Sequence, residues 1–392
     1  MSNSNSFQAG RHFLQIPGPS NVPDSVLRAM TQPVIDHRGP DFPELTNRIL
    51  DKLAPVFNTS ASIFIFPASG TGGWESALLN TLSPGDRVLA FETGHFATLW
   101  KQVADKLGLE VNWIEGDWRT GIDPNRVEDC LRADTDKSIK AVLAVHTETS
   151  TGVTSQIEKI RSAIDAAKHP ALFMVDAVSS LACTEFKHDE WQVDVTISAS
   201  QKGLMLPPGL CFNAASEKAI EFSKSSKSQH SYWQWDAMIE NNDRGYFPYT
   251  PSTNLLYGLD EALNLLHSEG MDEVFQRHAR LAEATRKAVE AWGLEIVCKN
   301  SAEYSNSTTA VLVAEGENAD NLRNTILRKF NMSLGTGLGK LKGKIFRIGH
   351  IGDFNDLMLA GTLSGVEMGL AISDISHSKG GIEAALNYLS SN

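Results

Sequence analysis

Three runs of the sequence decide the fold: AVLAV at 141–145, ALFMVD at 171–176 and DVTISAS at 194–200. AVLAV and ALFMV are apolar throughout rather than alternating, which predicts central strands covered on both faces by helices. Similar runs occur earlier in the chain, namely SIFIFP at 62–67, RVLAF at 87–91 and LEVNWI at 109–114. Helical patterns such as 155–168 separate the runs. This alternation predicts an α/β fold with a mostly parallel sheet.

The pattern changes on either side of this region. The segment PGPSN at 17–21 predicts an irregular loop, because its two prolines fix φ and remove backbone donors. Beyond Gly258 a long amphipathic helix over 271–292 precedes shorter strand and helix patterns, typical of a smaller α/β domain. We therefore expect three parts: an N-terminal arm over 1–22, a large domain over 23–265 and a small C-terminal domain over 266–392.

Composition narrows the functional classes. The chain has 392 residues, of which 42% are hydrophobic and 21% charged, as in ordinary globular proteins. A net charge of -12 argues against a nucleic-acid partner or an anionic membrane, which both require a basic face. The four cysteines form no C-x-x-C pair, so neither a metal site nor a disulfide framework is indicated. No apolar run approaches the ~20 residues that span a bilayer, and a reducing cytoplasm is the expected location.

A glycine-rich turn follows the predicted strand SIFIFP at 62–67. It reads ASGTGGWE at 68–75, where glycines permit close backbone approach and a helix start offers free N–H groups to a phosphate. Ser69 and Thr71 add hydroxyl donors. The turn matches neither G-x-G-x-x-G nor a Walker A loop. Considered alone, it is equally well interpreted as a turn that connects strand and helix and binds no ligand.

Two ionisable residues follow later strands. Asp176 ends ALFMVD, where a carboxylate pairs with a protonated ring nitrogen or, more commonly, caps a helix. Lys202 lies between DVTISAS and a glycine–proline turn, a poor place for solvation, although most single lysines are surface charges. Together with the glycine-rich turn they supply what pyridoxal phosphate needs: a phosphate anchor, a ring-nitrogen partner and a covalent tether.

An arginine occurs inside the late apolar run IFRIGH at 345–350. A buried Arg347 without a partner would be costly, so we expect a carboxylate near it. That carboxylate is either a structural Asp or Glu or the α-carboxylate of a substrate. The other features favour the substrate.

These segments together resemble the class V aminotransferases, which are fold-type I pyridoxal-phosphate enzymes, and among them the serine–glyoxylate and alanine–glyoxylate enzymes. The resemblance covers nearly the whole chain. The segments that carry it are PGPSNVP at 17–23, DHRGPDFPELT at 36–46, PASGTGGWESAL at 67–78, SQKGLMLPPG at 200–209, YFPYTP at 246–251 and KIFRIGHIGD at 344–353.

The resemblance implies roles for individual residues. Lys202 would be the Schiff-base lysine, Asp176 would pair with the pyridine nitrogen, and Arg347, with Asn21, would bind the substrate. The remaining cofactor contacts it implies are Ser69, Gly70, Thr71 and Gln201 at the phosphate, Phe96 stacked on the ring and Thr149 beside the ring oxygen. It also implies a homodimer in which Tyr249 and Thr250 reach the phosphate of the neighbouring subunit.

The sequence departs from the pattern of close relatives at two points. His146-Thr147-Glu148-Thr149 stands where relatives tend to have His-Asn-Glu-Thr, and Asp176-Ala177 stands where Asp-Gly is common. The expected reaction is transfer of an amino group from serine, alanine or aspartate to glyoxylate, giving glycine. The alternatives are a lyase of the same fold, similar to a cysteine desulfurase, and a non-catalytic phosphate-binding protein.

Overall fold

The computed structural model describes residues 9–391, so residues 1–8 of the predicted arm and residue 392 lie outside it. Its strands are β1 Phe13–Gln15, β2 Ser62–Phe66, β3 Arg87–Phe91, β4 Glu110–Ile114, β5 Ile139–Val145, β6 Thr147–Glu148, β7 Val153–Thr154, β8 Leu172–Asp176, β9 Val195–Ala199, β10 Cys211–Ala215, β11 Glu295–Ile296, β12 Thr308–Leu312, β13 Met332–Thr336 and β14 Ile345–Gly349. Its helices are α1 Asp24–Ala29, α2 Phe42–Phe57, α3 Gly70–Thr81, α4 His95–Lys106, α5 Pro124–Ala133, α6 Ile157–Ala166, α7 Glu217–Ser223, α8 Trp235–Asn242, α9 Thr253–Glu269, α10 Met271–Ala291, α11 Ala319–Phe330, α12 Asp356–Ile372 and α13 Gly381–Ser391.

The first sheet has seven strands in the order β2-β10-β9-β8-β5-β3-β4. All neighbouring pairs are parallel except those of β10, which runs antiparallel to both β2 and β9. Strands β5 and β8 lie side by side in the interior of the sheet, and every residue of β8 is buried. The mostly parallel sheet and its two central strands are confirmed.

Six strands of this sheet run in one direction, so their carboxyl ends share one edge. The helices that connect them are amphipathic, and α6 buries Ile157, Ile160, Ala163 and Ile164 at helical spacing. Chain segments that follow β2, β3, β5, β8 and β9 therefore meet at a single edge. Ligands in open α/β sheets bind at that edge.

The second sheet has the order β1-β13-β14-β12-β11. It is antiparallel apart from the pairing of β1 with β13. The described part of the predicted arm therefore includes an edge strand of this second sheet, at Phe13–Gln15. The next residues, 16–20, form an irregular loop, as the prolines predicted.

Two large hydrophobic cores accompany the sheets. The core around the first sheet extends along the chain to Val274, and the core around the second sheet begins at Leu281. Both residues belong to α10, so this helix packs in one core with its first turn and in the other with its remainder. The proposed domain limit at 265 falls inside α9 and stays a prediction.

No helix within residues 9–391 combines the length and apolarity needed to cross a membrane. In the same part of the chain, no group of His, Cys, Asp and Glu side chains is arranged to hold a metal ion. The four cysteines are free thiols, and Cys183, Cys211 and Cys298 are buried.

Candidate active site

A cavity of about 230 Å³ opens at the carboxyl edge of the first sheet. Its lining comes from the segments that follow β2, β3, β5, β8 and β9, together with the loop near residue 18. The lining residues are Gly18, Pro19, Ser69, Gly70, Thr71, Trp74, Phe96, Thr147, Thr149, Asp176, Val178, Ser179, Gln201, Lys202 and Pro208. Sequence positions from 18 to 208 thus converge on one volume.

Lys202 is the cation of this lining, and it is buried with 8% of its surface exposed. Its Nζ donates to the carbonyl oxygen of Pro17. Burial lowers the pKa of Lys202 to about 8, and the nearby charge of Arg347 acts in the same direction. An amine with this pKa is more readily deprotonated near neutral pH than an ordinary lysine. It can therefore serve as a nucleophile or a base.

Asp176 is the last residue of β8 and is 4% exposed. Its Oδ1 accepts a hydrogen bond from the backbone N–H of Val178 at 2.7 Å, and its Oδ2 accepts one from Trp74 Nε1 at 3.0 Å. Burial raises the pKa of Asp176 to about 7. A carboxylate in this position is strongly stabilised by a proton-bearing partner that enters the cavity.

The start of α3 forms one side of the cavity. Ser69 is the N-cap residue of this 12-residue helix, and its side chain makes no capping bond. The hydroxyls of Ser69 and Thr71 and the free N–H groups of the first turn are therefore placed for an anion. Gln201 also lines the cavity, and its buried Oε1 has no hydrogen-bond partner among the described residues. The amide N–H₂ group of the same side chain is the part that can donate to an anion.

The segment after β5 contributes hydroxyl groups and a helix cap. Thr149 Oγ1 is hydrogen-bonded to Ser179 Oγ, and both residues line the cavity. Glu148 is fully buried and accepts hydrogen bonds from the backbone N–H groups of Phe96 and Ala97, at the start of α4. Its charge there complements the helix dipole and fixes the position of Phe96 beside the cavity. The segment thus provides both hydroxyl groups at the cavity and a cap for α4.

Arg347 belongs to β14 of the second sheet and is 6% exposed. Its Nη1 donates to the carbonyl oxygen of Thr149 at 2.8 Å and its Nε to that of Thr336 at 2.9 Å. These partners are carbonyl oxygens, not carboxylates, and burial lowers the pKa of Arg347 to about 10. No carboxylate among residues 9–391 lies within ion-pair distance of Arg347, although the charge of the buried Glu148 nearby acts to raise its pKa. The substrate carboxylate stays our prediction for the direct partner.

Four predicted site residues do not line the cavity: Arg347, Asn21, Tyr249 and Thr250. Asn21 donates through Nδ2 to the carbonyl oxygen of Leu14 at 3.2 Å. Tyr249 stacks on Tyr232 with 4.3 Å between ring centroids, and the exposed Thr250 lies 3.5 Å from a ring nitrogen of His37. The roles assigned to Tyr249 and Thr250 concern a neighbouring subunit, so a single chain leaves them as predictions. The substrate role of Asn21 also stays a prediction.

Sequence reasoning missed two components of the site. Trp74, on α3, joins the cavity wall and bonds Asp176, although 102 positions separate the two residues. The loop Pro17-Gly18-Pro19 lies against Lys202: a Cβ on Gly18 would be 2.5 Å from Lys202 Cδ, and the φ of Gly18 is +100°. Glycine is therefore required at this close approach. The sequence predicted the Pro-Gly-Pro motif as a loop and as part of the family resemblance, but assigned its three residues no contact with Lys202.

The sequence is similar to those of known aminotransferases. Residues 12–338 match the family described as aminotransferase class-V. The chain is 48% identical to a serine–glyoxylate aminotransferase of Methylorubrum extorquens, with 98% of this chain and 97% of the relative covered. It is 42% identical to an L-aspartate–glyoxylate aminotransferase of Paracoccus denitrificans, with 91% and 90% covered.

The fold is similar to that of solved structures. The crystal structure of a pyridoxamine–pyruvate aminotransferase from Mesorhizobium loti superimposes with a TM-score of 0.91 at 28% identity. The superposition covers 98% of each chain. The overall fold is therefore similar to that of this protein.

Proposed function

The chain belongs to the class-V aminotransferases, and from this premise we propose that it transfers the amino group of a small L-amino acid to glyoxylate. Serine is the proposed preferred donor, with alanine and aspartate as further candidates. The names of two relatives at 48% and 42% identity, one acting with serine and one with aspartate, support glyoxylate as the common acceptor. The observation that carries the proposal is the buried amine of Lys202 and the buried carboxyl of Asp176 on one cavity.

The residues of the cavity fit pyridoxal phosphate, the cofactor that the family implies. The start of α3 offers unused N–H and hydroxyl donors to a phosphate, and Lys202 offers an amine for covalent attachment. Asp176, a buried carboxyl whose two recorded partners are N–H donors, suits a protonated ring nitrogen. Phe96 and Thr149 line the same space, where a flat ring and its hydroxyl would lie. We therefore assign these residues to the cofactor.

The chemistry divides among the residues of the chain. Pyridoxal phosphate, when bound, supplies an electron sink for the electrons released when the substrate loses its Cα proton. Asp176 keeps the ring nitrogen protonated. Lys202, displaced by the incoming amine, is the base that takes the proton from Cα, and its lowered pKa favours the neutral form that this step needs.

Arg347 is the proposed binding group for the substrate carboxylate. Its guanidinium is buried, bonded to two backbone carbonyls, and has charge that no described ion pair neutralises. A carboxylate that reaches the guanidinium would find the planar, bidentate geometry that arginine favours. Both an amino acid and glyoxylate carry such a carboxylate, so one group can serve both half-reactions.

The active protein is proposed to be a homodimer with shared sites. Tyr249 and Tyr232 form a stacked aromatic pair near the surface, with Tyr232 42% exposed. Aromatic pairs of this kind favour protein interfaces. Sedimentation of the cofactor-loaded protein at micromolar concentration should give a dimer, and a fully active monomer would contradict this. A cytoplasmic location remains part of the proposal.

A donor panel tests the reaction directly. The purified protein, loaded with pyridoxal phosphate, is incubated with glyoxylate and serine, alanine, aspartate or cysteine, and glycine formation is followed. Glycine should form fastest with serine, with one 2-oxo acid released per glycine. Sulfide released from cysteine without glycine would instead support the lyase of the same fold. Failure to bind the cofactor would support a non-catalytic phosphate-binding protein.

A further inference from the structure

The carboxyl group of Asp176 receives one side-chain hydrogen bond, from the indole of Trp74. The distance from Trp74 Nε1 to Asp176 Oδ2 is 3.0 Å, and both residues are buried. The other oxygen, Oδ1, is held by the backbone N–H of Val178 at 2.7 Å. The two oxygens are thus fixed by two donors from different directions, and the plane of the carboxyl group is set.

Two features bring the indole to this position. A Cβ on Gly70 would lie 2.8 Å from Val178 Cγ2, so the absence of a side chain at residue 70 lets α3 pack closely against the segment after β8. Trp74 follows one turn later on the same face of α3. Its ring stacks on Trp100 of α4 with 5.8 Å between centroids and 14° between planes. The close approach of α3 and the stacking on Trp100 therefore place the indole with its N–H on Asp176.

The bond leaves Asp176 able to accept from a ligand. A carboxylate has about four lone-pair positions, and the two bonds from protein N–H groups occupy two of them. Asp176 also lines the cavity, so a ligand in the cavity can donate to the remaining acceptor positions. Of the charged groups that act on it, Glu148 opposes its ionised form and Lys202 favours that form. Burial also disfavours the ionised form, and the hydrogen bonds from Val178 and Trp74 oppose that effect on the pKa of Asp176.

We propose that Trp74 is a positioning residue: its indole N–H holds the carboxylate of Asp176 in the orientation that accepts the ring nitrogen of the cofactor. This inference rests on the proposed function, because it assumes that a protonated ring nitrogen lies beside Asp176. Trp74 acts through Asp176 and not on the substrate. It also ties α3, whose first turn binds the phosphate, to the group that binds the opposite side of the same ring.

Trp100 provides a matched control on the same chain. It is a buried indole that stacks on Trp74, but its Nε1 has no hydrogen-bond partner among residues 9–391. Replacing either tryptophan with phenylalanine removes a similar amount of buried ring. Only Trp74→Phe removes a hydrogen bond to Asp176.

The experiment compares the affinity for two cofactors. Dissociation constants are measured by fluorescence titration for pyridoxal phosphate and for its 1-deaza analogue, in which carbon replaces the ring nitrogen. Trp74→Phe should weaken binding of pyridoxal phosphate about 10-fold or more, the scale of a hydrogen bond to a charged group. For the 1-deaza analogue, the dissociation constants of Trp74→Phe and Trp100→Phe should agree within about 2-fold, because the analogue has no ring nitrogen for Asp176 to bind. A role in packing alone would weaken both cofactors equally, and that result would overturn the proposal.

A double variant keeps the test decisive. In an Asp176→Asn background the substitution Trp74→Phe should have no further effect on discrimination between the two cofactors, because the group it positions is gone. If Trp74→Phe does not fold, Trp74→Met, which fills the space without an N–H group, replaces it in the same titrations. If the wild-type protein does not bind pyridoxal phosphate, the proposed function itself is refuted. If wild type and Trp74→Phe show the same ratio of dissociation constants for the two cofactors, only the proposed role of Trp74 is refuted.

Discussion

The two sides of the cavity are built in different ways. On one side, Asp176 and Lys202 follow adjacent strands of a single sheet, β8 and β9. On the other side, Arg347 does not line the cavity itself: it comes from the second sheet and donates to the carbonyl of Thr149, a lining residue, across the junction of the two sheets. The groups assigned to chemistry therefore depend on one rigid sheet, whereas the group assigned to substrate binding depends on contact between two sheets.

The difference indicates which quantity each side controls. A change at the single-sheet side should affect the chemical step, because we propose that Asp176 and Lys202 act on the cofactor and on Cα. A change at the junction should affect binding of the substrate carboxylate more than the chemistry. Kinetic and stability measurements on variants of the two sides can separate these effects.

The largest effect is expected at Lys202. Lys202→Ala removes the proposed tether and base, and kcat should fall by at least about 1000-fold, within the range of general acid–base catalysis. Steady-state transamination with serine and glyoxylate measures this. Lys224→Ala, at an exposed lysine paired with Glu221, is the control and should keep normal kcat. Near-normal turnover by Lys202→Ala would remove Lys202 from the chemistry.

The carboxyl of Asp176 should make the cofactor-free protein less stable as pH rises. Burial raises its pKa to about 7 in the folded protein, against about 3.9 when unfolded. Between these values the unfolded chain releases a proton that the folded protein keeps, so stability falls from about pH 4 to about pH 7 and then levels. The loss is up to about 4 kcal/mol, since one pKa unit corresponds to about 1.4 kcal/mol.

Asp176→Asn tests this because an amide cannot ionise. Relative to the wild-type protein, the variant should gain up to about 4 kcal/mol in free energy of unfolding between pH 4 and pH 7.5. Urea denaturation of both cofactor-free proteins at the two pH values measures the difference. Other titrating groups, such as His146, are present in both proteins and cancel. Parallel pH profiles would mean that this carboxyl is already ionised when folded.

A smaller effect is expected at the junction. Arg347→Lys keeps the charge but loses the bidentate fork, so KM for serine should rise about 10- to 100-fold while kcat changes less. Arg323→Lys is a matched control: Arg323 also donates to a β13 carbonyl, that of Leu334, but has its own partner in Asp320. An amine that lacks a carboxylate should be used equally poorly by the wild type and Arg347→Lys. A fall in kcat with unchanged KM would place Arg347 in the chemistry instead.

Much of the first sheet could be predicted from the sequence because its strands are short apolar runs separated by helices. The family identified from the motifs is confirmed by the comparisons. Strand β10, CFNAA, was not predicted: it carries Asn213, and small residues give it no clear pattern. Strand β1 was treated as part of an arm, because its pairing with β13 joins positions more than 300 residues apart.

The site was predictable where a residue directly follows a strand, as Asp176 and Lys202 do. Trp74 was not, because its role depends on the distance between α3 and β8 and on the direction of one N–H group. The contact of Arg347 with Thr149 also depends on how the two sheets meet. Periodicity and strand ends do not encode such contacts between elements.

The central claim is that Lys202 and Asp176 serve one bound pyridoxal phosphate. The direct test is to load the purified protein with the cofactor, reduce it with borohydride and map the modified peptide by mass spectrometry. We expect one cofactor per chain, attached to Lys202, and loss of the yellow colour on reduction. Attachment to a different lysine, or a colourless protein that gains no cofactor, would contradict the assignment.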